Sequence, residues 1–407
     1  MKSVRQGYKM TELGEIPEEW KIVNLEEVIN EFIVPMRDKP KVFDGDIPWC
    51  RIEDIEGNYL NGNKESRFVS EKTIKEMNLK VFPQGTLIAS CSATLGVYAI
   101  NTTPLITNQT FIGLVPSEKI NVNYLLYYMN TTTDRLKNIA SGTTIPYISR
   151  QKFEKFKIVL PNIEEQEKIA SILSTVDEQI DNIDALIEKN KELKKGLMQT
   201  LLTKGVGHTK FKKTEVGEIP EEWEVKELKE IVDFINGKGH EKFIDEDGKY
   251  IVVNSKFVST EGAIKKYSNE NLCPLYKEQI AIVMSDVPNG KAIAKCYYID
   301  KDNLYTLNQR IGGLKSDKVS SRYLFYYLDR NKYFLKFDDG VKQTNLRRDE
   351  VLGCPVLLPG KYEQEKIASI LMQADEKIKE YENKKRKLEE LKTGLMQQLL
   401  TGKIRVI

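Results

Sequence analysis

The chain repeats itself, and that repetition limits its folds more than any other feature. Leu13-Gly14-Glu15-Ile16-Pro17-Glu18-Glu19-Trp20 returns as Val216-Gly217-Glu218-Ile219-Pro220-Glu221-Glu222-Trp223. Gln166 to Leu173 returns unchanged as Gln364 to Leu371, and Gly196-Leu197-Met198-Gln199 as Gly394-Leu395-Met396-Gln397. Fainter echoes lie between: Asn108-Gln109 with Asn308-Gln309, and Tyr124 to Tyr128 with Tyr323 to Tyr327. One unit of about 200 residues is written twice, a period that belongs to duplicated domains and not to a short-repeat solenoid. The leading motif and the last 40 or so residues of each unit match strongly; the middle parts diverge. Drift after duplication would blur all parts alike, so the pattern points to a shared scaffold carrying two different working surfaces.

The matched tails carry helical periodicity. Ile169, Ile172, Leu173, Val176, Ile180, Ile183, Leu186, Ile187, Leu193, Leu197 and Leu201 fall at steps of mostly three and four without an intervening proline, predicting a helix over 164–203. At 1.5 Å per residue it would be about 60 Å long. Ile367, Ile370, Leu371, Ile378, Leu388, Leu391, Leu395 and Leu399 predict its twin over 363–401. A long helix with one apolar stripe needs a partner helix, and the other copy in the same chain is the nearest. The residues expected to make that pairing are Ile169, Val176, Ile183, Asn190, Leu197, Ile367, Tyr381, Leu388 and Leu395. Charge agrees: residues 161–204 carry 6 Lys/Arg against 9 Asp/Glu, whereas 359–407 carry 11 against 8. Asn190, in line with the stripe, reads either as a register-setting residue or as a solvated edge position. The run Lys384–Lys387 reads as a solvated helix face before it reads as a phosphate contact. Gly14-Glu15-Ile16-Pro17 bends the chain, and Trp20 and Trp223 then serve as apolar anchors docking each domain on its helix.

The middle parts read as α+β. Strands are expected over 86–90, 97–100 and 110–115 and a short helix over 123–130; in the second copy 279–285, 291–296, 311–314 and 322–329 follow the same order. The division expected is 1–160 and 205–358 as two globular recognition domains, with 161–204 and 359–407 as long scaffold helices forming an intramolecular antiparallel coiled coil. The sequence has no GxxxxGK[ST] loop, GxGxxG turn after a strand, or GxSxG elbow, and no Asn/Asp-Pro-Pro-aromatic tetrapeptide. Asp44 with Asp46, and Asp245 with Asp247, fit turn residues better than metal ligands. Five scattered cysteines, none in a CxxC pair, and two histidines leave no basis for a disulfide framework or a metal site. These features predict a non-catalytic cytoplasmic protein with no metal or cofactor of its own and no membrane span.

What remains is recognition chemistry. Polar residues gather at the turns of the first middle part: Ser90, Ser92, Thr94, Asn108, Gln109, Thr143, Thr144, Tyr147 and Arg150. In the second they are Ser285, Asn289, Lys291, Asn308, Gln309, Arg310, Lys342, Gln343, Asn345, Arg347 and Arg348. Asn, Gln and Arg can bond base edges in pairs, while Ser, Thr and Lys suit phosphates. Asn108-Gln109 reads equally well as a turn brace. Neither middle part is strongly basic: 20 Lys/Arg against 19 Asp/Glu over 1–160, and 25 against 24 over 205–358.

The succession of Gly14–Trp20 and Gly217–Trp223, Leu160-Pro161 and Leu358-Pro359, Gln166–Leu173 and Gln364–Leu371, then Gly196–Thr203 and Gly394–Lys403 resembles the DNA-specificity subunit of type I restriction–modification systems over essentially the whole chain. The resemblance implies two target-recognition domains, each reading one half of a split double-stranded DNA target, held apart by the paired helices. It implies two methyltransferase subunits and restriction–translocase subunits as partners, with S-adenosylmethionine and ATP bound by those partners. The near-neutral charge of both middle parts adds a further expectation, weak and salt-sensitive DNA binding by the chain alone. The family's S-R-S-G-T-I-G-K-like turn is altered here to Ser90-Cys91-Ser92-Ala93-Thr94-Leu95-Gly96 and to Ser285-Asp286-Val287-Pro288-Asn289-Gly290-Lys291, and Ile148-Ser149-Arg150 becomes Leu346-Arg347-Arg348. A purely structural coiled-coil adaptor, an enzyme, and a specificity subunit of a related system whose partner fuses cleavage with methylation are the other readings.

Overall fold

A computed structural model describes residues 4–36, 39–142, 144–287, 291–338 and 343–406. The chain forms two compact units, one of Met1–Asp184 with Asn383–Ile407, the other of Ala185–Glu382. Two long helices run through this division, a central helix Ile163–Lys204 and a C-terminal helix Lys361–Leu399. Each unit therefore owns the first half of one long helix and the second half of the other.

In the first unit a five-stranded sheet runs in the order Ile29–Ile33, Phe111–Pro116, Leu87–Ser90, Tyr98–Asn101, Tyr59–Leu60. Its strands pair antiparallel except for the last, which lies parallel to Tyr98–Asn101. A smaller sheet pairs Ile106–Thr107 parallel with Ile47–Cys50, and the latter antiparallel with Phe68–Val69. Helix Val122–Thr131 begins where the Asn121 side chain caps the amides of Asn123 and Tyr124, and its residues Tyr124 to Met129 are buried. The core gathers Trp20, Leu87, Leu114, Tyr124, Leu125 and Phe153 with Ile169 and Leu173 of the central helix, Leu399 at the end of the C-terminal helix and Leu400 just past it.

The second unit repeats the plan. Asp233–Asn236, Ile311–Lys315, Ile280–Val283 and Cys296–Tyr298 form one sheet; Tyr267–Ser268, Tyr250–Val253, Tyr305–Leu307 and Pro274–Leu275 form the other. Its core reverses the helix roles, with Leu201 and Leu202 of the central helix beside Ile367, Ala368 and Leu371 of the C-terminal one. The expected strand over 291–296 shrinks to Cys296–Tyr298. The Asp286 carboxylate accepts from the amides of Ala292 (2.6 Å) and Ile293 (3.1 Å), and Ala294 adopts φ +57, so this stretch leaves the extended conformation. The short helix expected over 322–329 forms as Ser321–Leu328, its N-cap Ser320 accepting from the Tyr323 amide.

Ion pairs fix the helix direction within each unit. In the first, Glu165 meets Arg405 (2.7 Å), Asp177 meets Lys392 (2.6 Å) and Asp184 meets Lys385 (2.7 Å). One number rises as the other falls, so the helices are antiparallel. In the second, Asp375 meets Lys194 and Glu363 meets His208 in the same sense. Ile169, Val176, Ile183 and Ile367 are buried, and Leu197, Tyr381, Leu388 and Leu395 are half-buried. Leu186 and Leu193, also in the apolar stripe, are 38% and 57% exposed, because they flank the buried rows rather than lie in them. Half-buried Asn190 turns its amide back to the Leu186 carbonyl of its own helix, at 2.7 Å.

Candidate nucleic-acid interface

The repeated motifs hold each unit on its helices. Trp20 is buried and donates its indole N–H to Glu165 (2.8 Å), which also takes the Arg405 guanidinium. Trp223 donates to Glu363 (3.0 Å), which meets His208 and accepts from the Val206 amide (2.9 Å). The neighbouring glutamines are buried too. Gln166 accepts from the Asn121 amide and donates to the carbonyls of Pro161 and Lys119; Gln364 accepts from Ser320 and donates to Pro359. Glycines end the long helices because space demands it. A Cβ at Gly402 (φ +69) would lie 2.4 Å from Pro17, and one at Gly205 (φ +66) 2.7 Å from Trp223.

A second clamp was not legible as a site in the sequence. In the first unit the Asp177 carboxylate accepts from Tyr127 Oη (2.7 Å) and Asn58 Nδ2 (2.6 Å) and pairs with Lys392. In the second, Asp375 accepts from Tyr326 Oη (2.7 Å) and pairs with Lys194 (2.5 Å). Burial, then the adjacent carboxylate, drives both tyrosine pKa values up, so both hydroxyls remain donors. The signal was present: Asp177 and Asp375, like Lys194 and Lys392, occupy equivalent places in the repeat.

The polar turns come together beside the sheets. In the first unit the Cys91 amide donates to Thr110 O (2.7 Å), the Ile148 amide to Cys91 O (2.8 Å) and the Ala93 amide to Pro146 O (3.0 Å). Three segments thus meet, the turn 91–96, the loop 108–110 and the stretch 141–148. In the second unit the Met284 amide donates to Arg310 O (3.0 Å) and the Leu346 amide to Met284 O (2.7 Å), so the same junction is built again from 284–287, 308–310 and 343–346.

The side chains at the two junctions differ in use. Ser90 is buried, its hydroxyl accepting from the Val97 amide (2.9 Å); it closes the turn from inside. Half-buried Ser92 bridges to Tyr147, itself 50% exposed. Thr94, Gln109 and Thr144 are exposed, and Arg150 is exposed and paired with Glu154 (2.7 Å). Asn108 Oδ1 accepts from the amide and hydroxyl of Thr110, the turn-bracing arrangement. Burial pushes the Cys91 thiol up to about 11, which keeps it protonated. In the second unit Ser285 is buried, donates to Asn345 Oδ1 (2.7 Å) and accepts from Gln343 Nε2 (2.8 Å). Gln309 donates to Glu241 (2.6 Å). Lys291, Arg310, Arg347 and Arg348 are exposed, with the Arg348 guanidinium 5.6 Å from the centre of the Phe234 ring. Thr143, Asn289 and Lys342 lie outside the described residues. Among the described residues no group of three His, Cys, Asp or Glu is placed to hold a metal, and no helix is long and apolar enough to cross a membrane.

Residues 17–194 and 220–392 each match the family described as the type I restriction modification DNA specificity domain. The chain belongs to that family. It is 32% identical to the specificity subunit of the type I restriction enzyme MjaVIII of Methanocaldococcus jannaschii, over 96% of this chain and 94% of that one. It is 25% identical to the MjaIX specificity subunit of the same organism, over 98% and 96%. Its fold is similar to the crystal structure of a type I restriction–modification S subunit from M. genitalium, with a TM-score of 0.60 at 18% identity over 96% of this chain and 97% of that one. The specificity domain is thus present twice in this chain.

Proposed function

We propose that this chain is the DNA-reading subunit of a type I restriction–modification complex, with each unit reading one short block of a split duplex target through its three-segment junction. The observation that carries this reading is the double construction: one backbone junction made twice by the same hydrogen bonds and furnished in part with different side chains, Thr110 against Arg310 and Tyr147 against Asn345 among them. A shared frame supplies position, and divergent Asn, Gln, Arg, Ser and Tyr side chains supply two readings. In this reading residues 1–160 and 205–358 are the recognition domains, and 161–204 and 359–407 are the scaffold. The first block meets Ser92, Thr94, Gln109, Thr144, Tyr147 and Arg150. The second meets Lys291, Asn308, Arg310, Gln343, Asn345, Arg347 and Arg348.

The chain is not itself the catalyst. Two methyltransferase subunits and the restriction–translocase subunits join it in the cytoplasm and bring S-adenosylmethionine and ATP with them. Because neither recognition domain has a large positive excess, the isolated chain binds weakly and salt-sensitively, and the methyltransferase subunits close the complex around the duplex. The test is selection from a random duplex pool with the chain co-purified with its methyltransferase partner. Enrichment of two short defined blocks around a fixed unspecified gap is expected. Enrichment of no sequence by a soluble complex favours a structural adaptor.

A further inference from the structure

Beside the second junction lies an open cleft of about 470 Å³ lined by Asn254, Ser255, Lys256, Lys266, Asn308, Gln309 and Arg310. Three of these side chains are cationic and none is acidic. Lys256, Lys266 and Arg310 are exposed, and no side-chain hydrogen bond or ion pair occupies any of them. Asn308 has its Oδ1 buried without a partner, and no hydrogen bond occupies its amide nitrogen either. Its counterpart in the first unit, Asn108, spends its oxygen on Thr110; in the second unit that place belongs to Arg310 at φ +67, and the brace is lost.

The corresponding corner of the first unit is neutralised from within. The parallel strand pairs Cys50–Thr107 and Val253–Leu307 are equivalent, so Arg51 stands where Asn254 stands and Arg67 near the place of Lys266. Arg51 Nη2 pairs with Glu65 (2.9 Å), Arg67 Nη1 with Glu65 (2.9 Å), and Arg67 Nη2 lies 3.6 Å from Asp54. Both guanidiniums are also gathered over the Trp49 ring. The first corner's two guanidiniums are paired with carboxylates, whereas the second's three cations are unpaired and lie beside an amide without a hydrogen-bond partner.

We infer that the second unit's cleft is a binding site for a DNA backbone phosphate, held by Lys256, Lys266 and Arg310 with the Asn308 amide as a neutral donor, and that the first unit has no equivalent. This rests on the reading of the chain as a DNA-binding subunit. It adds an asymmetry: the salt-sensitive anchorage is concentrated on one half of the target. A phosphate contact positions the duplex without specifying bases, so loss of Lys256 and Lys266 weakens binding and leaves the recognised sequence unchanged.

The experiment uses the complex with methyltransferase subunits and a duplex carrying its own methylation motif. A single neutral methylphosphonate is placed at each backbone position in turn. The double variant Lys256→Ala/Lys266→Ala, both positions exposed, is compared with wild type and with Arg51→Gln. Expected are an affinity loss of about tenfold for the double variant at moderate salt, a salt slope shallower by about 1, and no change for Arg51→Gln. Methylphosphonate beside the second unit's block should weaken wild type and leave the double variant indifferent. Equal affinity and slope for double variant and wild type would overturn the phosphate site while leaving the DNA reading intact; so would a changed methylation motif. Failure of wild type to bind the duplex would remove both.

Discussion

The two units place the same backbone around different chemistry. Glu165 and Glu363 hold Trp20 and Trp223 in the same way, yet the first carboxylate is closed by Arg405 and the second by His208 and the Val206 amide. Asp177 and Asp375 anchor Tyr127 and Tyr326, yet only Asp177 also takes an asparagine, Asn58. At the junctions the backbone bonds repeat while Asn108 braces its turn and Asn308 does not. Groups that join domain to helix are repeated in kind; groups that face outward are repeated only in part, Gln109 and Arg150 returning as Gln309 and Arg348 while Tyr147 gives way to Asn345. Position is the common requirement, and what is read is free to differ.

The largest effect expected from breaking the frame falls on the tryptophans. Trp20→Ala and Trp223→Ala each empty a fully buried site and should cost about 3–5 kcal/mol in denaturant unfolding. Each should also leave its glutamate, buried Glu165 or half-buried Glu363, without the indole donor. If either loss is below about 1 kcal/mol, the indoles do not anchor their units.

The aspartate clamps sharpen the comparison. The Asp177 side chain is 16% exposed and that of Asp375 39%. Asp177→Ala should therefore cost about 2–3 kcal/mol, for a half-shielded carboxylate with three partners, and Asp375→Ala about 1. The glutamines give a similar contrast. Gln166→Ala removes three hydrogen bonds and Gln364→Ala two, so the first should cost more, by about 1 kcal/mol. Equal losses within either pair would contradict the ordering.

The smallest effect is one of pH and belongs to the second unit. Asp329 accepts from the Cys296 amide (2.8 Å), and burial holds its carboxyl pKa above the ordinary value. A raised folded-state pKa means the neutral acid is favoured, and that advantage is lost as pH rises through it. Asp329→Asn keeps the acceptor without the charge. It should give a slightly higher Tm at pH 7 and a shrinking advantage as pH falls into the carboxylate range. A Tm difference independent of pH would exclude the burial account.

Much of the frame was legible in the residues. The repeat announced two domains, the apolar stripes announced the long helices, and Trp20 and Trp223 were readable as anchors because a large indole after a Gly-Pro bend must bury itself. The junctions were legible only as a list of polar turn residues. Sequence spacing could not show that 91–96, 108–110 and 141–148 converge, since that depends on backbone bonds between distant segments. It could not show that Ser90 points inward while Thr94 points outward. Lys256 and Lys266 were unreadable for the same reason: a lysine is informative only once the absence of a nearby carboxylate is known, and Arg51 and Arg67 show how readily one is supplied.

If each unit reads its own block of DNA, the two blocks can be altered one at a time. The most direct measurement is the methylome of cells co-expressing the chain with its methyltransferase partner, compared between wild type, a Gln109→Ala/Tyr147→Ala chain and a Gln343→Ala/Asn345→Ala chain. Expected is a motif of two short blocks around a fixed gap, with the first variant relaxing only one block and the second only the other. A single uninterrupted motif, or two variants that relax the same block, would contradict it.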